Sequence, residues 1–115
     1  MGIQNFSEDV LLVTLPEQPQ QGNELETVSK MLRGEADCDV LVDFGSVQIL
    51  TSETISALIV LDGLLSVYGR QLVLCNVSPP IKGIFERAGL AVVFEFADTE
   101  LAALQRIRSA SGFPA

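Results

Sequence analysis

The chain has 115 residues, 48% of them hydrophobic, which is enough for one domain with a real core and excludes wholesale disorder. Its 15 acidic and 7 basic residues give a formal net charge of −8, and Lys and Arg are nowhere concentrated. The basic footprint of a nucleic-acid binder is therefore missing, and the charge opposes an anionic membrane surface.

The start, "MGIQNFSEDV", lacks the basic opening and apolar run of a signal peptide, and Phe6 stands where a myristoylation signal needs Ser or Thr. No apolar run approaches the roughly 20 residues that cross a bilayer. A cytoplasmic protein without membrane contact is expected. "DVLLVTL" (9–15) reads as a strand that stops at Pro16. "PEQPQQG" (16–22) is a polar loop. Asn23 suits an N-cap with Glu26 in capping-box position, and "ELETVSKMLRG" follows as a helix that Gly34 ends. "DVLVDF" (39–44) is a second strand; Gly45-Ser46 turns the chain, and "VQIL" (47–50) begins like a buried strand.

The longest helix candidate runs from about Glu53 to Tyr68. "QLVLCNV" (71–77) is a third main strand, and Ser78-Pro79 opens a helix through "IKGIFERAG", with Ser78 as N-cap. "AVVFEF" (91–96) is a strand. Asp98 caps the last helix, "TELAALQRIRSA", and residues from about 110 to 115 form a frayed tail. Strands alternate with helices four times. The expected fold is α/β: a single domain over 1–115, with four to five mostly parallel strands and about four helices on the sheet.

Chemistry-bearing signals are few. The chain has no histidine, which removes the usual general base, the common zinc ligand and the Ser-His and Cys-His nucleophile pairs. Neither GxGxxG nor GxxxxGK[ST] occurs, so no nucleotide cofactor is indicated. Asp39 and Asp43 share one side of a strand, but two carboxylates alone do not hold a metal. Cys38 and Cys75 lie in apolar surroundings without CxxC spacing and read as reduced core residues. No cofactor, metal or catalytic residue is expected, and the chain does not read as an enzyme.

Two features stand out. The helix after residue 52 is apolar almost all round: Ile55, Leu58, Ile59, Val60, Leu61, Leu64, Leu65, Val67 and Tyr68 exceed the stripe that a helix on a sheet needs. It is either buried centrally or meets a partner chain, a second copy included. The other feature is the joint before it, Thr51-Ser52-Glu53-Thr54. Thr51 or Ser52 suits an N-cap, and Glu53 complements the helix dipole. The same place also suits an anion or a phosphoserine.

Three segments resemble the STAS domain, the anti-sigma-factor antagonist family: "LVDFGSVQILTSETISALIVL", "GRQLVLCNVSPPIKGIFERAGL" and "VFEFADTELAAL", with the likeness covering residues 38–107. The first is similar to a strand, turn and strand followed by Asp-Ser-Ser-Gly-Leu-Gly opening a helix. Here Thr51 stands for the Asp, Ser52 for the phosphorylated Ser, Glu53 for the second Ser, Thr54 for the Gly, and Ile55-Ser56 for Leu-Gly. The resemblance implies a cytoplasmic bacterial regulator of transcription that catalyses nothing. Its partner would be an anti-sigma factor that is also a serine-protein kinase. Thr51, Ser52, Glu53, Thr54, Ile55 and Ser56 would form the partner face, and Ser52 the phosphorylation site, with Thr51 and Thr54 as alternatives. Two other readings stay open: a scaffold or stressosome-like subunit that is never phosphorylated, and a small-molecule or nucleotide binder at the helix start.

Overall fold

The computed structural model describes residues 2–7, 9–16, 21–32 and 38–110. The elements are β1 (Gly2–Ser7), β2 (Val10–Thr14), α1 (Gln21–Leu32), β3 (Asp39–Asp43), α2 (Ser52–Val67), β4 (Leu72–Cys75), α3 (Pro79–Arg87), β5 (Glu95–Ala97) and α4 (Glu100–Ala110). The strands form one sheet in the order β1-β2-β3-β4-β5. β1 pairs antiparallel with β2, and the other neighbours pair parallel.

That order fixes where the helices go. Parallel crossovers are right-handed, so a strand order that never reverses sends α1, α2 and α3 to the same face. Period-two alternation along the strands then builds two cores. Leu11, Val13, Val40, Val42, Leu72 and Leu74 point to the three-helix face, where they meet Leu25, Val28, Leu58, Leu61, Leu65, Ile81 and Phe85. Phe85 anchors this layer edge-on against Phe44, Phe94 and Phe96, with ring centroids 6.1, 5.7 and 5.5 Å away. Val10, Leu12, Leu41, Val73 and Cys75 point the other way, and α4 covers them with Ala103 and Ile107.

The expected α/β architecture with mostly parallel strands and four helices is the one observed, but several boundaries move. β1 went unread in the sequence; it forms by edge pairing with β2, from Gly2↔Thr14 to Ser7↔Val10. "VQIL" is not a strand: Val47 turns back to donate its N–H to the Phe44 carbonyl and inserts into the core, and Ile49 is exposed. "AVVFEF" becomes a strand only at Glu95. Residues 91–93 are a turn held by the Leu90 carbonyl, which accepts from the amides of Val93 and Phe94 and leaves Val92 93% exposed. α1 begins at Gln21, so Asn23 lies within its first turn and is not its N-cap. The expected stop at Gly34 lies outside the described residues, as does the expected tail from about 110 to 115 except for Ala110, which ends α4. Thr99, not Asp98, caps α4: its Oγ1 accepts from the Ala102 amide at 3.0 Å, the spacing an N-cap requires. Ser78 does precede α3, with Pro79 next, but its side chain makes no capping bond.

Candidate functional site

The loop from Phe44 to Thr51 leaves the carboxyl end of β3 and delivers the chain to α2. Its root is fixed by Asp43, whose Oδ1 accepts from the Gly45 amide at 2.7 Å and from Asn76 Nδ2 at 3.1 Å. Gly45 suits the place, since a Cβ would stand 3.0 Å from that same oxygen and push the carboxylate off its bonds. Asn76 adopts φ +56°, a conformation Asn tolerates better than most residues, and this reaches its amide across to β3.

At the joint the three hydroxyls separate. Thr51 is the N-cap, in extended conformation at φ −105° and ψ 161°. Its Oγ1 accepts from the Thr54 amide at 3.2 Å and lies 3.1 Å from Thr54 Oγ1. Thr54 is the buried member, only 1% exposed. Ser52, the first residue of α2, is exposed and its hydroxyl makes no hydrogen bond among the described residues. Glu53 and Ser56 are also exposed, and Ile55 is half-buried. Sequence reasoning left the cap open between Thr51 and Ser52; backbone geometry assigns it to Thr51.

A pair of carboxyls that sequence reasoning missed lies at the same end of the sheet. Glu100, on the first turn of α4, hydrogen-bonds Asp43. Two carboxyls bond only by sharing a proton. The bond to Asp43, then burial and the Asp43 charge, push Glu100 up to about 7. Burial pulls Asp43 upward, but its bonds to Glu100, the Gly45 amide and Asn76 outweigh that and hold it below the ordinary carboxylate value. Burial, reinforced by both carboxylates, pushes the neighbouring Cys75 thiol up to about 12, so it is not a reactive thiolate. Cys38 and Cys75 are both free.

Asp39 and Asp43 do share one face of β3, but at opposite ends. Asp39 is tied to Gln71 and Arg70 as Asp43 is to Gly45 and Asn76. Among the described residues, no three His, Cys, Asp or Glu side chains cluster as a metal site would need. A cleft of about 280 Å³, lined by Asp62, Arg70, Glu95 and Arg106 among others, sits at the far end of α2 from the joint. Arg106 is occupied by Glu95 at 2.7 Å and Arg70 by Asp39 at 3.7 Å. Burial raises Asp62. No described helix is long and apolar enough to cross a membrane.

The STAS domain family model matches residues 5–103. The chain belongs to that family. Among solved structures it is similar to Moorella thermoacetica RsbS carrying a serine-to-glutamate substitution, with TM-score 0.80, 18% identity, and 95% of each chain covered. It is also similar to an anti-sigma-factor antagonist (STAS) domain protein from Planctomyces limnophilus, with TM-score 0.80, 18% identity, and 92% of this chain and 96% of that one covered. A third likeness is to the Bacillus cell fate determinant SpoIIAA in its phosphorylated form, with TM-score 0.72, 17% identity, and 92% and 97% covered. Among curated proteins, none matches the sequence. At these identities the likeness carries the fold.

Proposed function

We propose that this chain is a non-enzymatic regulatory module of the anti-sigma-factor-antagonist kind, which binds an anti-sigma factor that is also a serine kinase. The partner face is the start of α2: Thr51, Ser52, Glu53, Thr54, Ile55 and Ser56. Ser52 is the switch; its free hydroxyl permits binding and its phosphate prevents it.

One observation carries this reading. Of the three hydroxyls at the joint, Ser52 alone is both exposed and unengaged among the described residues, whereas Thr51 is spent on the cap and Thr54 is buried. That makes Ser52 the acceptor a kinase reaches, and disfavours Thr51 and Thr54. A phosphate at the first residue of a 16-residue helix meets free amides and the positive end of the dipole, so the fold tolerates it. It adds about −1.5 to −2 charge next to Glu53, and a surface that bound the neutral hydroxyl meets a doubly acidic one. That solved relatives include a phosphorylated SpoIIAA also supports the reading.

Phosphopeptide mapping of protein from its native cell, under phosphatase inhibition, tests the site. Phosphate on Ser52 is expected. In a binding assay with the anti-sigma factor, Ser52→Ala keeps the parent's affinity and escapes regulation. Ser52→Asp binds at least tenfold more weakly, about 1.4 kcal/mol. Equal binding by parent, Ala and Asp variants would end the switch proposal.

A further inference from the structure

The cleft at the far end of α2 is used by neither the core nor the switch. Asp62 and Ser66 of α2 stand on one side of it and Arg106 of α4 on another, with Leu72 and Val93 between them in the chain. Its charged side chains are paired with one exception. Arg106 Nη1 lies 2.7 Å from Glu95 Oε1, and Arg70 Nη1 lies 3.7 Å from Asp39 Oδ2. Asp62 is half-buried and makes no hydrogen bond or ion pair among the described residues. Burial alone moves its carboxyl, upward, so neither guanidinium compensates it. A carboxylate that gives up water and gains no partner costs free energy.

We propose that this cleft binds a small primary ammonium with a short apolar body, and that Asp62 is its counter-ion. The charges select the sign. Three carboxylates, of Asp39, Asp62 and Glu95, face two guanidiniums, of Arg70 and Arg106, which leaves one negative charge in excess. That excess suits a monocation and opposes an anion. A metal ion lacks ligands, since no three His, Cys, Asp or Glu side chains cluster among the described residues. The neutral groups select the ammonium. It carries three donors and no acceptor, and so needs acceptors around it. Asp62 and Ser66 stand one turn apart on the same side of α2, and both accept. The side-chain carbonyl of Gln71 is a third acceptor at the cleft. Leu72 and Val93, the latter 46% exposed, supply apolar surface for the alkyl body.

The volume limits the size. About 280 Å³ falls just below the roughly 300–1,000 Å³ of pockets that hold drug-sized ligands, so the occupant is smaller than these. A ligand of a few carbons on an open site binds weakly, with a dissociation constant on the order of 1 mM. The inference goes beyond the switch proposed above and stands without it: an unmodified Ser52 leaves the cleft intact, and an empty cleft leaves the switch intact.

Amide chemical shifts of the full chain, titrated with n-butylammonium chloride from roughly 0.1 to 20 mM, test it. Saturable shifts are expected at Ser66, Leu72, Val93 and Glu95, and none at Ser52–Ser56. n-Butanol, which has the body without the charge, should give none that saturate. Asp62→Asn should weaken binding at least tenfold. That variant folds, since it removes only a charge that the fold leaves unpaired. With the amine saturating, the Asp62 carboxyl should titrate at lower pH, because the cation binds its charged form. Equal shifts from n-butanol would reduce the site to an apolar crevice. Unaltered binding by Asp62→Asn would remove its counter-ion, and shifts that grow linearly with the amine would leave the cleft to water. Each of these would overturn the proposal.

Discussion

The two ends of β3 carry the same side chain on the same face, about 13 Å apart, and treat it differently. At the amino end, Asp39 is buried and its Oδ1 accepts from the Gln71 amide at 2.8 Å; Arg70 stands 3.7 Å from its Oδ2. At the carboxyl end, Asp43 is half-buried and meets another acid, Glu100, together with the Gly45 amide and Asn76. One end meets a backbone amide and a cation. The other meets a second acid and depends on a shared proton. The amino end ties β4 to β3 through a backbone amide and a nearby guanidinium, whereas the grip of the carboxyl end on α4 and on the root of the 44–51 loop depends on acidity.

The largest effect is expected at the buried end. Asp39→Ala removes the acceptor for the Gln71 amide where β4 begins, and an unpaired donor at such a place costs about 1–3 kcal/mol. Chemical denaturation should show a lower midpoint at an unchanged slope. Retention of the parent's midpoint would mean that water replaces the carboxylate there, and the contrast between the two ends would shrink.

The carboxyl end supplies the second prediction, and its sign follows from linkage. Glu100 is raised in the folded state, from 4.5 to about 7. Its contribution to stability is then full below pH 4.5 and is lost as the pH rises through about 7. Asp43 is lowered, so its contribution is present above 3.8 and is lost as the pH falls through its folded value. The pair supports the fold most strongly on the acid side of neutrality. Because the chain has no histidine, little else titrates between pH 5 and 8 to blur the result. Glu100→Gln donates to Asp43 at every pH and should hold its melting temperature from pH 5 to 8, while the parent declines. Glu100 lies near the surface, so solvent screening reduces the expected difference to about 1 kcal/mol. Parallel pH profiles for the two proteins would show that no proton is shared.

The same contrast marks what the sequence could reveal. β2, β3 and β4 were legible because a strand buried on both faces must be apolar over its buried length, as Leu72–Cys75 is throughout and Val10–Thr14 is up to its last residue. α2 was legible from its length and its cap. β1 was not, because "GIQNFS" has little strand propensity and forms by pairing at the sheet edge. Residues 91–93 deceived in the other direction. Their β-branched side chains promise a strand, but β4 accepts its neighbour only from Val73↔Glu95 onward, and the valines stay outside. At the candidate site, the sequence located the hydroxyls but could not rank them; ranking required the Thr51 cap and the burial of Thr54. The Asp43–Glu100 bond had no sequence signal at all, since it depends on α4 returning across β3 and β4.

The smallest predicted effect decides what holds Asp39 at the amino end. Arg70→Gln removes the positive charge near Asp39 but leaves the Gln71 amide bonded to it. The Arg70 side chain is 32% exposed and its nitrogen is 3.7 Å from the carboxylate, beyond an ordinary hydrogen bond. The carboxylate is buried but the guanidinium is partly open to water, so the loss should stay within about 0.2–1 kcal/mol, as for solvent-screened pairs, and shrink in high salt. A loss as large as that of Asp39→Ala would assign the hold on Asp39 to the cation. A small, salt-sensitive loss assigns it to the backbone amide. Asp39 and Asp43 would then share one anchoring device, a strand-end carboxylate bonded to a backbone amide, and the second acid, Glu100, would mark the carboxyl end apart.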